Sequence, residues 1–498
     1  MIRSAQLSHL ALAIVVAAYV VMAVQYARLT PPWQAPDEPA HFNYVKHIAE
    51  KGTLPVLQPG DYPAAYLEEI KGKGFPSGMS VDPIRYEAWQ PPLYYLLATP
   101  VYRLASRGGL ATQLLALRLV SVMLGAVLLL IGYAAMQALA PGRRWLALGT
   151  AALVASVPMH IAMTAAVNND TLAELWVALL LWQLLARLRS AQQPMRAWML
   201  LGFTLGLAGL TKLSAFATLP LVASTLVYVA WRQPPSAKRT RFLLERALAV
   251  SLLAMALMLP WIARNMSVYG ATDPFAFRRH SDVVEGQLRT SDWLRDVGLR
   301  RALASSVTTT FHSFWGQFGW MGVPLDSRLY RGLALLCGLS GLGLLLRLQR
   351  LTRDWRQLPE SQRAGLSLLA FSVLLSGATL VWYNLSFVQH QGRYLFSALI
   401  PISAFLVAGW YEITHRNHQP LASGFLFLAA LTLAGRAMLT GQPLDKQALV
   451  GLTGLGSAFA LSAALPRAPV QWLYLLPYPL LLILDAACLY GFILPALA

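Results

Sequence analysis

The chain reads as an all-α polytopic membrane protein. Two observations carry that reading: 56% of its 498 residues are hydrophobic against only 12% charged, and apolar runs of the ~20 residues that cross a hydrocarbon core recur from one end to the other. A mean hydropathy of +0.50 agrees.

The first run, roughly Leu10 to Val24, follows a weakly basic start at Arg3 and has no small-x-small cleavage site after it, so it reads as an uncleaved span. Further spans fall near 112–139, 145–164, 171–189, 197–212, 213–231, 247–263, 329–347, 365–383, 394–413, 420–438, 447–465 and 470–494. With the first they make about thirteen transmembrane helices. Cys337 and Cys488 sit in separate apolar runs, which argues against a disulfide framework.

The net charge of +18 does not point to nucleic acid, because the basic residues cluster in short connectors between spans. Arg143-Arg144, Arg187, Arg189 and Arg196, the stretch Arg232 to Arg246, the stretch Arg347 to Arg363, Arg416 and Arg467 all fall on one face by alternation of spans, and that face is cytoplasmic. The same parity sends Asn168-Asn169-Asp170, Thr211-Lys212, the loop 264–328 and Gln389 to Arg393 to the other face. Asp37-Glu38 joins them if segment 90–106 does not cross. Pro91, Pro92 and Pro100 suit a juxtamembrane or re-entrant helix there as well as a span.

Two polar regions, 27–89 and 264–328, are expected outside. In the first, Asp37 can cap a helix with Pro39 in its first turn and Gly52 near its end, placing Phe42, Val45 and Ile48 on one face of a helix lying on the membrane surface. Lys71 to Ser80, rich in glycine, has the composition of a loop that could act as a lid. An acidic pair at a membrane edge is costly without a use and suits an enzyme acting on a bilayer-anchored substrate.

Several motifs then occur in a fixed order: Asp37-Glu38, Gln90-Pro91-Pro92-Leu93-Tyr94-Tyr95, Asn168-Asn169-Asp170, Leu210-Thr211-Lys212-Leu213, Pro260 to Asn265 with Tyr269-Gly270, Ser313 to Met321, and Gln391-Gly392-Arg393-Tyr394-Leu395-Phe396. In that order they resemble the GT-C superfamily of integral-membrane glycosyltransferases, which includes protein O-mannosyltransferases and the aminoarabinose transferase of lipid A. The resemblance covers about residues 10–400 and is nearest to a bacterial branch with similar Pro-Asp-Glu-Pro-Ala-His-Phe and Gln-Gly-Arg-Tyr-Leu-Phe signatures. Gln90 departs from it, standing where many members carry histidine, and so does Ser397, where that branch often has proline.

The resemblance implies a GT-C fold with juxtamembrane helices in the first external loop, a catalytic module over 1–413 and added transmembrane helices over 414–498. It implies an inverting transfer of a sugar from a polyprenyl phosphate to an acceptor lipid, glycan or protein, on the periplasmic or extracellular face of a bacterial inner membrane. The expected partners are that donor, the acceptor and membrane lipid, and no nucleic acid.

The residue types support this chemistry independently. A lipid phosphate is already a good leaving group, so the protein needs one carboxylate to take the acceptor proton and fixed cations to hold the departing phosphate. Asp37 is the candidate base, with Glu38 positioning the acceptor or a metal. Arg393, Lys212 and Arg264 are the donor-phosphate candidates, arginine suiting bidentate contact and lysine acting as a point charge. Lys212 could instead snorkel from a hairpin, and Arg264 could pair within its loop. His390 could join them or be an interfacial residue. Substrate-binding candidates are Asp170, Asn169, His41, Tyr94, Trp315, Gln391 and Tyr394. Trp315, with Phe314, Phe318 and Trp320, reads either as a stacking surface or as part of the aromatic belt.

Were Asp37, Glu38 and Asp170 to converge, they could hold Mg²⁺ or Mn²⁺; no cofactor is otherwise implied. Asp170 with Asn168 and Asn169 also reads as a helix cap, while His160 and Asp485 within spans read as structural hydrogen-bonding groups. There is no Walker A loop, His-Glu-x-x-His or Cys-x-x-Cys. A transporter or flippase of lipid-linked sugars remains as an alternative, as does a non-catalytic scaffold on the same frame. A transporter would keep ionisable groups near mid-membrane and show two related halves.

Overall fold

The computed structural model describes residues 2–190, 192–234, 237–465 and 471–497; Arg467 and residue 470 of the last expected span lie outside them. Contacts divide the chain into two units, Met1–Pro324 with Glu360–Pro401 and Asp485–Ala498 in one, and Leu325–Pro359 with Ile402–Leu484 in the other.

The first unit begins with α1 (Ile2–Leu29). Pro31 and Pro32 follow and keep the helix from continuing. After a short loop, α2 (Glu38–Lys51) has Pro39 in its first turn and ends at Gly52, whose φ of 71° is the left-handed conformation glycine adopts freely. Asp37 does not cap it through its side chain; the residue itself is left-handed at φ 67°. Nor does α2 lie on a surface, since every residue from Glu38 to Val45 is buried. Helix α3 (Ala64–Gly72) leads into the glycine-rich stretch, where Phe75 stacks on Trp320 at 6.2 Å and Gly74 O accepts from Gln34 Nε2, so the expected lid is tied down at those points.

A 3₁₀ turn at Tyr86–Trp89 precedes α4 (Leu93–Ala105) and α5 (Gly109–Leu139). A straight helix would hold Tyr94 and Ser121 about 40 Å apart, yet their hydroxyls lie 3.3 Å apart. The chain therefore doubles back near Gly108–Gly109, and α4, at 13 residues shorter than the ~20 a span needs, lies against the first half of α5. The Arg103 guanidinium at its far end donates to Ala49 O, fastening α4 along α2.

Helices α6 (Arg144–Ala155) and α7 (Pro158–Thr164) form a span bent by 67°, where Pro158 removes a backbone donor. Helix α8 (Asp170–Leu188), α9 (Met195–Thr211), a 3₁₀ turn at Leu213–Thr218, α10 (Leu219–Trp231) and α11 (Ala237–Tyr269) follow. The polar stretch after α11 folds into α12 (Phe277–Val283), α13 (Thr290–Val297), α14 (Leu299–Trp315) and a two-residue hairpin pairing Gln317–Phe318 with Val323–Pro324. After α15 (Ser327–Asp354), which lies in the second unit, the first unit resumes with α16 (Glu360–Asn384) and a 3₁₀ turn at Gly392–Ala398 that opens α17 (Leu399–Ile413).

In the second unit, α15, α17, α18 (Gln419–Thr440) and α19 (Lys446–Ala464) close over Leu339, Trp410, Ile413, Leu426, Phe459 and Leu473. A Cβ at Gly409 would stand 1.8 Å from Ser340 O, so only glycine lets α15 and α17 cross so closely.

Eleven described helical stretches are long and apolar enough to cross a membrane, or twelve with the bent α6–α7 pair; the shorter apolar helix Met195–Thr211 occupies the remaining position expected from the sequence. Because Asp170 and Arg187 sit at opposite ends of α8, and Arg118 lies far up α5 from Arg143, the first unit keeps its basic connectors away from the helix ends that carry the residues below.

Candidate functional site

Asp37 stands at the exit of the α1–α2 loop in a backbone conformation that few side chains tolerate and aspartate does. Its carboxylate accepts from Arg393 Nη2 at 2.8 Å and from the Tyr86 hydroxyl at 2.7 Å. Burial works against its charge, but the Arg393 guanidinium outweighs that and, with His41 and Tyr86, holds the carboxyl below the usual carboxylate range. Asp37 is therefore ionised at neutral pH.

Arg393 reaches this carboxylate because Gly392 lies against α14: a Cβ there would be 2.3 Å from Thr310 O and from Phe314 N. The Gly392 N–H donates to Ser313 Oγ at 2.8 Å, which fixes the turn. Arg393 Nε is buried and has no hydrogen-bond partner, and Nη1 meets only the Met163 sulfur at 3.9 Å. The guanidinium thus keeps donors in reserve.

A second ion pair joins Lys212, between α9 and the next turn, to Asp170 at the start of α8, 2.5 Å apart. Burial disfavours the ammonium, but Asp170 more than compensates and raises the Lys212 pKa. Asp170 spends its carboxylate here rather than on a cap; Asn168 Oδ1 takes the Thr171 N–H at 3.2 Å in that capacity. Asn169 donates to Thr211 O at 3.0 Å and to Gln90 Oε1 at 3.4 Å, leaving its own buried Oδ1 unpartnered. The Gln90 side chain accepts this bond with its amide oxygen, at the position where the sequence resemblance leads one to expect histidine.

His41 stands between the two pairs. Its Nδ1 lies 2.9 Å from the Tyr95 hydroxyl. Burial lowers the imidazole to about 4 against the opposing pull of Asp37, so the ring is neutral at pH 7; Lys212, Asp170 and Arg393 all act on it too, which places both ion pairs around it. Tyr394 presents its ring to Arg393, 5.6 Å from the guanidinium carbon.

Six expected residues stand elsewhere. Glu38 does not face the chamber. Its carboxylate is fully buried, gripped by Arg118 Nε at 2.8 Å and Nη2 at 2.7 Å and by the backbone N–H groups of Trp33 and Val167, each at 3.1 Å. With every lone-pair direction engaged, it has none left for an acceptor or a metal. Arg264 points at the α2–α3 loop, donating to Pro55 O at 2.5 Å and to Asn265 Oδ1 at 3.0 Å. His390 turns toward Ser306 Oγ at 3.1 Å and the Trp293 ring, and burial lowers its pKa. Trp315 is sealed at 1% exposure and packs edge-on against Phe314, which leaves no face for a sugar. Tyr94 is buried against Ser121, and the Gln391 amide donates to Gln389 Oε1 at 2.8 Å.

The expected metal set also separates. Asp37, Glu38 and Asp170 are each matched to their own cation, Arg393, Arg118 and Lys212, and no three His, Cys, Asp or Glu side chains gather as ligands among the described residues. This donor set does not fit a divalent ion.

Three participants went unnoticed in the sequence. Arg118 carried a signal, a lone charge inside an apolar run. Tyr86 and Glu87 did not, since the turn that aims Tyr86 at Asp37 has no regular periodicity. The exposures separate the chamber from its supports: the Asp37, Asp170 and Lys212 side chains keep 27%, 29% and 23% of their surface, against 0% and 4% for Glu38 and Arg118.

Residues 80–403, more than half of the chain, match the family described as "Predicted membrane protein (DUF2142)". No curated protein sequence matches. Among solved structures, ArnT from Cupriavidus metallidurans in the apo state aligns over 99% of this chain and 77% of its own at 15% identity, with a TM-score of 0.52; bound to undecaprenyl phosphate, it aligns over 98% and 76% with a TM-score of 0.50. The sugar-donor-bound Pmt1-Pmt2 O-mannosyltransferase complex of S. cerevisiae aligns at 16% identity and a TM-score of 0.37, over 52% of this chain. The chain spans 35% of the length of that yeast chain. The all-helical polytopic architecture is the GT-C fold of ArnT.

Proposed function

The chain belongs to the DUF2142 family of predicted membrane proteins, and on its GT-C frame we propose that it is a glycosyltransferase moving a sugar, with inversion, from a polyprenyl phosphate to an acceptor at the extracytoplasmic edge of the membrane. One observation carries this reading: an ionised carboxylate, Asp37, stands in one charged cluster with two cations, Arg393 and Lys212, and Arg393 Nε and Asn169 Oδ1 are buried there without partners. A phosphate with its sugar would satisfy these two atoms.

The chemistry follows from charge. The acceptor oxygen or nitrogen attacks the anomeric carbon from the face opposite the phosphate, forming one bond as the carbon–oxygen bond to phosphate breaks with its electron pair. Asp37 takes the acceptor proton, and Arg393 and Lys212 neutralise the charge that grows on the departing lipid phosphate. Tyr86 and Arg393 hold the Asp37 carboxylate in one orientation. Glu38 and Arg118 serve this site at one remove: Arg118 also donates to Ala27 O at 3.0 Å and Thr30 O at 2.7 Å, so the pair fixes the end of α1 and the loop that delivers Asp37.

The test is transfer by purified protein in lipid nanodiscs supplied with radiolabelled polyprenyl phosphate sugars, alongside mass spectrometry of lipids from cells with and without the gene. Lipid-linked monosaccharide should accumulate in the deleted cells. If wild-type protein neither consumes nor binds any such donor, the proposal is withdrawn.

A further inference from the structure

Glu87 is the one carboxylate in this chamber that no cation holds. It lies on the 3₁₀ turn Tyr86–Trp89, beside the tyrosine that bonds Asp37. Its Oε2 is sealed from solvent and without a hydrogen-bond partner, while the residue as a whole is part-exposed. Each neighbouring acid has a cation within ion-pair distance, and Glu87 has none among the described residues. We propose that Glu87 is the proton-relay residue of the transfer reaction, receiving from Asp37 the proton that Asp37 takes from the acceptor and then releasing it to solvent.

Charge makes the division of labour necessary. A carboxyl pressed against Arg393 is a poor resting place for a proton, so protonated Asp37 must discharge before another cycle begins. Burial first, then the negative charge of Asp37, raises Glu87 to about 7, with Lys212 and the Gln90 amide opposing and Asp170 assisting. The remaining groups around the turn leave that balance undisturbed. His41 on α2 is neutral at pH 7, Tyr95 on α4 and Tyr383 on α16 are phenols, Lys46 is paired with Asp82, and Arg85 with Asp61. On α12, burial lowers His280, which packs on Trp89, to about 4, while Arg279 donates to Leu57 O. Across the whole step the acceptor loses a proton, Glu87 gains it, and the phosphate leaves with the bonding electrons.

This inference rests on the transferase reading above. The experiment measures kcat/KM for transfer between pH 5 and 9 with wild type, Glu87→Gln and Glu87→Asp in nanodiscs, together with the infrared titration of the carboxyl band. Wild-type activity should rise through about pH 7. Glu87→Gln should be at least ~10-fold slower above pH 8, less than the ~10² of a directly lost acid–base group because Glu87 acts through Asp37, and should converge on wild type below pH 6, where Glu87 is itself protonated. Glu87→Asp should restore a pH-dependent limb. The infrared band titrating near neutrality should vanish in Glu87→Gln. A constant ratio of variant to wild type at every pH would mean that Glu87 is structural and would overturn the relay while leaving the transferase standing, as would the absence of such a band. Failure of wild type to transfer from any donor would overturn both.

Discussion

Asp37 and Glu38, neighbours in the chain, are claimed by different cations: Arg393 holds Asp37 at 2.8 Å and Arg118 holds Glu38 at 2.7 Å. One acid keeps an open side toward a chamber and the other is entombed. An acidic pair in sequence is thus split between two environments, and on the proposed function the two acids should fail differently when changed.

Asp37→Asn should abolish turnover while sparing the fold. The amide keeps the shape and can still accept from Tyr86, but it cannot take a proton. A loss of at least ~10²-fold in kcat, the scale for a positioned base, in protein still recovered folded though with a lower melting temperature because Arg393 loses its counter-ion, is the expected outcome in the nanodisc assay; transfer at the wild-type rate would strip Asp37 of its role.

Glu38→Ala should act on folding instead. Removing one partner of a buried ion pair leaves the other charge uncompensated, at a cost of about 3–5 kcal/mol. Poor recovery of folded protein from detergent is expected, and the double variant Glu38→Leu with Arg118→Met should recover much of it. Equal instability of the double variant would show that packing, not charge, sets the loss.

Arg393→Ala should weaken donor binding by about 10- to 100-fold, as expected when a charge-assisted hydrogen bond is lost. Arg264→Ala should leave donor affinity unchanged, because that guanidinium binds the α2–α3 loop. Equilibrium binding of a polyprenyl phosphate separates the two.

Stability should fall as the medium becomes acidic, and His41 sets the window. Its folded value near 4 lies below the ordinary 6.5, so the neutral ring favours the native state fully above pH 6.5, and that advantage is lost as pH falls toward 4. An upper bound is about 3 kcal/mol. His41→Gln should flatten the melting-temperature profile between pH 6.5 and 4; an unchanged slope would move the effect to another group.

Much of this was legible in the sequence. Apolar runs gave the spans almost one for one, since length in hydrocarbon is set by the bilayer, and Asp37, Lys212, Asp170 and Arg393 converge in the structure. What stayed hidden is lateral. Nothing in the periodicity says that Glu38 meets Arg118, 80 residues on, or that Trp315 faces inward, because in a membrane both sides of a helix are apolar. Segment 90–106 was ambiguous because a helix that doubles back and one that continues straight into the next have the same composition; the contact between Tyr94 and Ser121 shows that it doubles back. Glu87 was invisible because nothing in the sequence says that, among the described residues, no cation forms an ion pair with it.

The bond from Asp37 to Arg393 joins groups 356 residues apart, and that separation has a consequence for biogenesis. During synthesis the acidic loop enters the membrane long before the ribosome has made its guanidinium partner. On the transferase reading proposed above, the nascent chain would hold no complete site until Arg393 has been made. Assembly itself acts as the safety catch.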